Sequence, residues 1–139
     1  MPNYSALSYP IRKMAFKNIL LIDDDEDEHD IFRSALNQLS SNVAFDTAFD
    51  AGDALSRLAS KQLEPDVIFL DLNMPMMNGE VFLSQIKNNH SLKDIPVIIF
   101  STASSPSTIR TVKELGASDY ITKPDSFEGL LNIMKPLIA

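Results

Sequence analysis

The stretch Val67-Ile68-Phe69-Leu70-Asp71-Leu72-Asn73-Met74-Pro75-Met76-Met77-Asn78-Gly79 decides the fold. Its first four residues are apolar without interruption, which is how a strand reads when both of its faces are buried. Such strands belong to parallel sheets covered by helices on both sides. Asp71 then falls at the carboxyl end of the strand, the edge where ligands bind in open parallel sheets. A lone aspartate there commonly does no more than cap a turn. Whether it is a site depends on what the other strands bring beside it.

Toward the amino terminus, Ile19-Leu20-Leu21-Ile22 is a second unbroken apolar run, and it ends in Asp23 and Asp24. Toward the carboxyl terminus, Pro96 leads into Val97-Ile98-Ile99-Phe100, which ends in Ser101 and Thr102. Asp119 to Thr122 reads as a short strand closed by Lys123-Pro124, and Val43 to Ala48 alternates loosely enough for one more.

Between the strands the apolar period changes to that of helices. Ile31, Phe32, Ala35, Leu36 and Leu39 mark a helix that starts near Asp27 to Asp30 and ends in Ser40-Ser41-Asn42. A second runs from about Ala51 to Ser60 with Ala54, Leu55 and Leu58 inward, and a third carries Val81, Phe82 and Ile86. Ser105 before Pro106 is an N-cap with proline at the first helical position, opening a helix with Ile109, Val112 and Leu115 inward and Gly116 at its end. Asp125 and Glu128 have capping-box spacing for a last helix bearing Phe127, Leu130, Leu131 and Met134, which Pro136 should end or kink near Met134. Strand and helix thus alternate five times through short connections. That predicts right-handed crossovers and a parallel sheet between two helical layers, a three-layer α/β/α sandwich.

The 139 residues suit one domain and can bury a substantial core. Residues 1–15 hold two prolines and no periodicity and read as a flexible extension, with Met1 or Met14 as the start, leaving residues 16–139 as the domain. There is no cysteine, so disulfides and thiolate chemistry are excluded. No apolar run reaches the roughly 18 residues of a membrane span, which predicts a cytoplasmic protein without membrane insertion. The net charge of −7 is local: positions 23–30 carry seven of the 19 acids, and the remaining 12 match the 12 bases. Such a patch repels nucleic acid and attracts cations, so direct DNA or RNA binding is not expected and a divalent metal is.

Four strand ends therefore meet on one edge, with Asp23 and Asp24, Asp71, Ser101 and Thr102, and Lys123. Magnesium, a hard cation, is held by one or two carboxylates and shares a phosphate oxygen. An aspartate can itself attack phosphorus to give an acyl phosphate, a reaction governed by positioning and by neutralising oxygen charge. Lys123 and the metal would neutralise, and Ser101 or Thr102 would donate a hydrogen bond to a phosphoryl oxygen.

The segments Ile19-Leu20-Leu21-Ile22-Asp23-Asp24, Leu70-Asp71-Leu72-Asn73-Met74-Pro75 with Asn78-Gly79, Ile95-Pro96-Val97-Ile98-Ile99-Phe100-Ser101-Thr102-Ala103, and Gly116-Ala117-Ser118-Asp119-Tyr120-Ile121-Thr122-Lys123-Pro124 resemble the receiver domains of two-component response regulators. The stand-alone receivers similar to the chemotaxis response regulator are the nearest in kind, and the resemblance runs from about Lys17 to Met134. It implies a flavodoxin-like, five-stranded parallel sheet of order 2-1-3-4-5. It implies Asp71 as phosphoacceptor, and Asp23, Asp24, Asp71 and the backbone carbonyl of Asn73 around Mg2+. Lys123 is implied as the phosphoryl-binding cation before a cis proline bond, and Tyr120 as the aromatic that turns inward on activation. The switch hydroxyl is Ser101 by its count from Pro96 and by strand alternation, with Thr102 as the alternative.

The implied partners are a sensor histidine kinase or a His-containing phosphotransfer protein, and a downstream protein that reads the surface from about Pro106 to Ile138. On this reading the chain is not an enzyme: it catalyses only its own phosphotransfer and dephosphorylation. The residues allow two alternatives. One is a phosphorylation-independent binding module with a vestigial site; the other is a haloacid-dehalogenase-type phosphatase using Asp23 and Asp25. His29 and His90 lie among polar neighbours and read as surface residues, and the methionines after Asp71 read as loop packing.

Overall fold

The computed structural model describes residues 15–40, 42–74, 78–102 and 105–138. The expected extension, apart from Ala15, lies outside the described residues, as do Met76 and Met77. Among the described residues ten elements alternate: β1 (Asn18–Ile22), α1 (Glu26–Leu39), β2 (Ala44–Ala48), α2 (Ala51–Ala59), β3 (Val67–Leu70), α3 (Gly79–Lys87), β4 (Val97–Ser101), α4 (Pro106–Glu114), β5 (Asp119–Thr122) and α5 (Phe127–Ile138). All neighbouring strands are parallel, and the sheet order is β2-β1-β3-β4-β5. This is the expected flavodoxin-like sandwich.

Successive strand residues point to opposite faces, so the apolar runs feed two cores. Leu20, Ile22, Ile68, Leu70, Val97 and Ile99 pack under Ala54 and Leu58 of α2, Phe82 and Ile86 of α3, and Val112 of α4. Ile19, Leu21, Phe69, Ile98 and Phe100 pack under Phe32 and Leu36 of α1 and Leu130 and Met134 of α5. At the centre of this second core Phe32 meets Phe69 and Phe100 edge-on at centroid distances of 5.1 and 5.6 Å. The two ends of the described chain are tied together, because the Phe16 amide donates to the Leu137 carbonyl at 2.9 Å.

Side chains that cap helices explain most boundaries. Asp25, Asp50, Asn78 and Ser105 each accept a backbone amide of the first turn of α1, α2, α3 and α4. At α5 the cap is Ser126, whose hydroxyl accepts the Gly129 amide at 3.0 Å, and not Asp125 as the spacing suggested. Pro136 does not stop α5, which runs on to Ile138. In the last turn a proline costs a single helical amide bond, and burial of Leu137 holds the turn in place.

Ile31, Val81 and Phe127, counted among the apolar residues that mark their helices, are exposed at 45%, 43% and 39%. Each lies beside a residue that takes the inward place: Phe32, Phe82 and, three positions on, Leu130. Ile31 and Phe127 line a shallow groove of about 210 Å³ that also touches Lys123 and Pro124. Gly79 is fixed by space: a Cβ there would sit 2.8 Å from the Leu72 Cα and 2.9 Å from the Asp71 carbonyl oxygen. Gly116 is fixed by its backbone, with φ at 110° at the end of α4. Among the described residues no helix is long and apolar enough to cross a membrane.

Candidate functional site

The sheet register sets the site. Ile22 pairs with Leu70 and Ile99 pairs with Leu70 from the other side, so the chain leaves β1 and β3 at the same level. The Asp71 amide donates to the Ile22 carbonyl at 3.0 Å, and the Asp23 amide to the Ala48 carbonyl at 3.1 Å, carrying the ladder one residue past each strand. On the far side, Ser101 ends β4 opposite Thr122, and the Lys123 amide donates to the Ser101 carbonyl at 2.9 Å.

Asp23, Asp24 and Asp71 converge, each offering a carboxylate oxygen within 4.8 Å of the others. Asp23 and Asp71 are buried and Asp24 is exposed. The Lys123 ammonium sits 2.9 Å from the Asp23 carboxylate, 3.8 Å from Glu28 and 3.9 Å from Asp71. Burial pushes the Asp71 carboxyl above the ordinary carboxylate range. Lys123 and the Asn73 amide, which hydrogen-bonds the Asp71 carboxylate, pull it down, and Asp23 and Asp24 push it further up. Burial works against the charge on Lys123, but Asp23, Asp71 and Glu28 outweigh it and its pKa is raised.

Three carboxylates with one ammonium leave the cluster negative. Its donors are all hard oxygens, and one face, at Asp24, is open to water. That donor set fits Mg2+, which keeps several waters and binds through one or two carboxylates.

Ser101 is fully buried and Thr102 exposed, as the strand alternation from Pro96 requires. The side chains of Ser101 and Tyr120 are hydrogen-bonded, and Tyr120 packs against the α2–α4 core, so this tyrosine already faces inward. Burial raises its hydroxyl pKa; the bond to Ser101 lowers it and nearby Asp71 raises it. The Lys123–Pro124 peptide is trans, contrary to the expected cis bond.

His29 was read as a surface residue and is in fact 2% exposed. Its Nε2 lies 2.8 Å from the Asp23 carbonyl oxygen. The signal was in the sequence: His29, Phe32 and Leu36 follow one another at helical spacing along the stripe that α1 buries. The surrounding acids hid it. Asp25, required by the phosphatase alternative as a site residue, instead caps α1 by accepting the Asp27 amide at 2.9 Å.

An acidic carboxyl edge with a lysine beside it, on a flavodoxin-like sheet, makes this a small doubly wound α/β protein with a polar site. Residues 19–135 match the response regulator receiver domain, and the chain belongs to that family. Protein PilG of Pseudomonas aeruginosa is 32% identical over 117 residues, 84% of this chain and 84% of that one. The probable C4-dicarboxylate response regulator DctR of Halalkalibacterium halodurans is 31% identical over 81% of this chain, which spans 47% of that relative. The crystal structure of the phosphorylated cyanobacterial phytochrome response regulator RcpA superimposes with a TM-score of 0.79 at 31% identity, covering 87% of this chain and 90% of that one. The Mn(2+)-bound form of response regulator Rcp1 does so with a TM-score of 0.77 at 27% identity, covering 85% and 91%. The protein is therefore a receiver domain of two-component signalling, a switch module.

Proposed function

We propose that Asp71 is the phosphoacceptor of this switch and takes its phosphoryl group from a phosphohistidine on a sensor kinase or phosphotransfer protein. The observation that carries the reading is the convergence of buried Asp71 with Asp23, Asp24 and Lys123 on one sheet edge. A carboxylate oxygen of Asp71 forms the new bond to phosphorus as the nitrogen–phosphorus bond breaks and its electron pair returns to the donor imidazole. Mg2+ held by Asp23, Asp24, Asp71 and the Asn73 carbonyl would neutralise charge on the phosphoryl oxygens, in keeping with the Mn(2+)-bound form of Rcp1.

Lys123 exchanges part of its pairing with Asp23 for a phosphoryl oxygen. Ser101 supplies the hydrogen bond from the far side, and buried placement favours it over exposed Thr102. Because Ser101 is bonded to Tyr120, its shift changes the surface from about Pro106 to Ile138, where a downstream protein reads the state. Chemistry is confined to gain and loss of the module's own phosphoryl group, in the cytoplasm. Incubation with acetyl phosphate and Mg2+ should add one phosphoryl group to the wild type and none to Asp71→Asn by intact-mass spectrometry. No gain, or an equal gain in the variant, would sink the assignment.

A further inference from the structure

His29 is a costly residue for its place. Its Nδ1 is buried without a hydrogen-bond partner, and an apolar side chain on that stripe of α1 would avoid the loss. What the ring gains is one hydrogen bond. A carbonyl oxygen can only accept, so Nε2 carries the proton and donates it to the Asp23 carbonyl at 2.8 Å. The ring is braced from the end of β2 by Phe49, with centroids 4.4 Å apart and planes tilted by 33°.

That carbonyl belongs to the peptide joining Asp23 to Asp24. The amide of Asp23 is already fixed by Ala48, and the Asp23 carboxylate is engaged by the Asp25 amide at 3.0 Å and by Lys123. Asp24 itself is past the strand and exposed, so the plane of the Asp23–Asp24 peptide decides the direction in which its side chain leaves. We infer that His29 is a positioning residue for the cation site: by holding the Asp23 carbonyl it sets the angle at which the Asp24 carboxylate meets Asp23 and Asp71. The inference rests on the reading of this cluster as a divalent-cation site, and it explains why a histidine stands where an apolar residue would pack at lower cost.

The test is a Mn2+ titration followed by electron paramagnetic resonance on the full chain, paired with melting curves in EDTA. His29→Phe, a somewhat larger ring that keeps the stacking on Phe49 but has no donor, should bind Mn2+ about ten- to a hundredfold more weakly than wild type when each is compared with its own melting curve in EDTA. His29→Gln, whose side-chain amide can reach the same carbonyl, should recover most of the affinity. His29→Leu serves in place of the phenylalanine variant if that one does not fold. Wild-type affinity in His29→Phe, or no recovery in His29→Gln, overturns the positioning role and leaves the cation site standing. A wild type that binds no Mn2+ overturns the cation site, and this inference with it.

Discussion

The ammonium of Lys123 stands 2.9 Å from the Asp23 carboxylate and 3.9 Å from that of Asp71. The lysine thus pairs mainly with Asp23, and Asp71, the proposed acceptor, is left partly uncompensated. Replacing Lys123 by Met should therefore slow phosphoryl gain from acetyl phosphate, and quenched-flow mass spectrometry would show it. It should also weaken the protein more at neutral than at strongly alkaline pH: a raised lysine pKa contributes stability below its unfolded value and loses it as pH rises through the folded one.

Asp71 gives the opposite economy for an acid. Burial raises its pKa in the folded state, so the native protein holds that proton more readily than the unfolded chain does. Its stabilising contribution is present while the group is protonated and is lost as pH rises through the raised value. In EDTA, Asp71→Asn should melt above wild type at neutral pH, and the difference should shrink toward about pH 4, where the unfolded carboxyl also protonates. Calorimetry across that range checks the sign.

Cation binding should offset the same repulsion. At about a hundred times its Kd, Mg2+ bound only by the folded state adds about 2.7 kcal/mol, visible as a rise in Tm. Asp24→Ala removes one of the three converging oxygens and should abolish most of that rise.

Ser101 and Thr102 separate cleanly in an assay. Ser101→Ala removes a buried hydroxyl bonded to Tyr120, with a stability cost of about 0.5–1.5 kcal/mol and a clear change in the rate of phosphoryl gain or loss. Thr102→Ala should leave stability within about 0.5 kcal/mol of wild type. A larger rate effect at Thr102 than at Ser101 would reverse the assignment.

Phe32 touches Phe45, Phe69 and Phe100 and is 1% exposed. Phe32→Ala should cost about 3–5 kcal/mol, read as a lower urea midpoint.

The sheet was legible because its inner strands carry unbroken apolar runs: Ile19 to Ile22, Val67 to Leu70 and Val97 to Phe100 each name a strand, and the residue after each names a site position. The exact face of a helix was less legible. Ile31 and Val81 are adjacent in sequence to Phe32 and Phe82, and apolarity alone does not say which of two neighbours turns inward. Asp125 and Ser126 are both good caps, and only the observed backbone chooses. Burial of His29 was obscured by composition, since seven acids around it make every position look wet. The trans bond before Pro124 was beyond any reading of residue types.

The parity of the strands has a consequence for how this module could diversify. Ser101 and Tyr120 lie on the side of the sheet covered by α2, α3 and α4, whereas Phe100 and Ile121 lie on the side of α1 and α5. The sheet is in that sense a bulkhead: what starts at the hydroxyl is delivered into one compartment, while the aromatic cluster around Phe32 lies in the other. Substitutions that retune the response of α4 fall on one face of the sheet and the aromatic cluster on the other, so either set can change without replacing a side chain of the other.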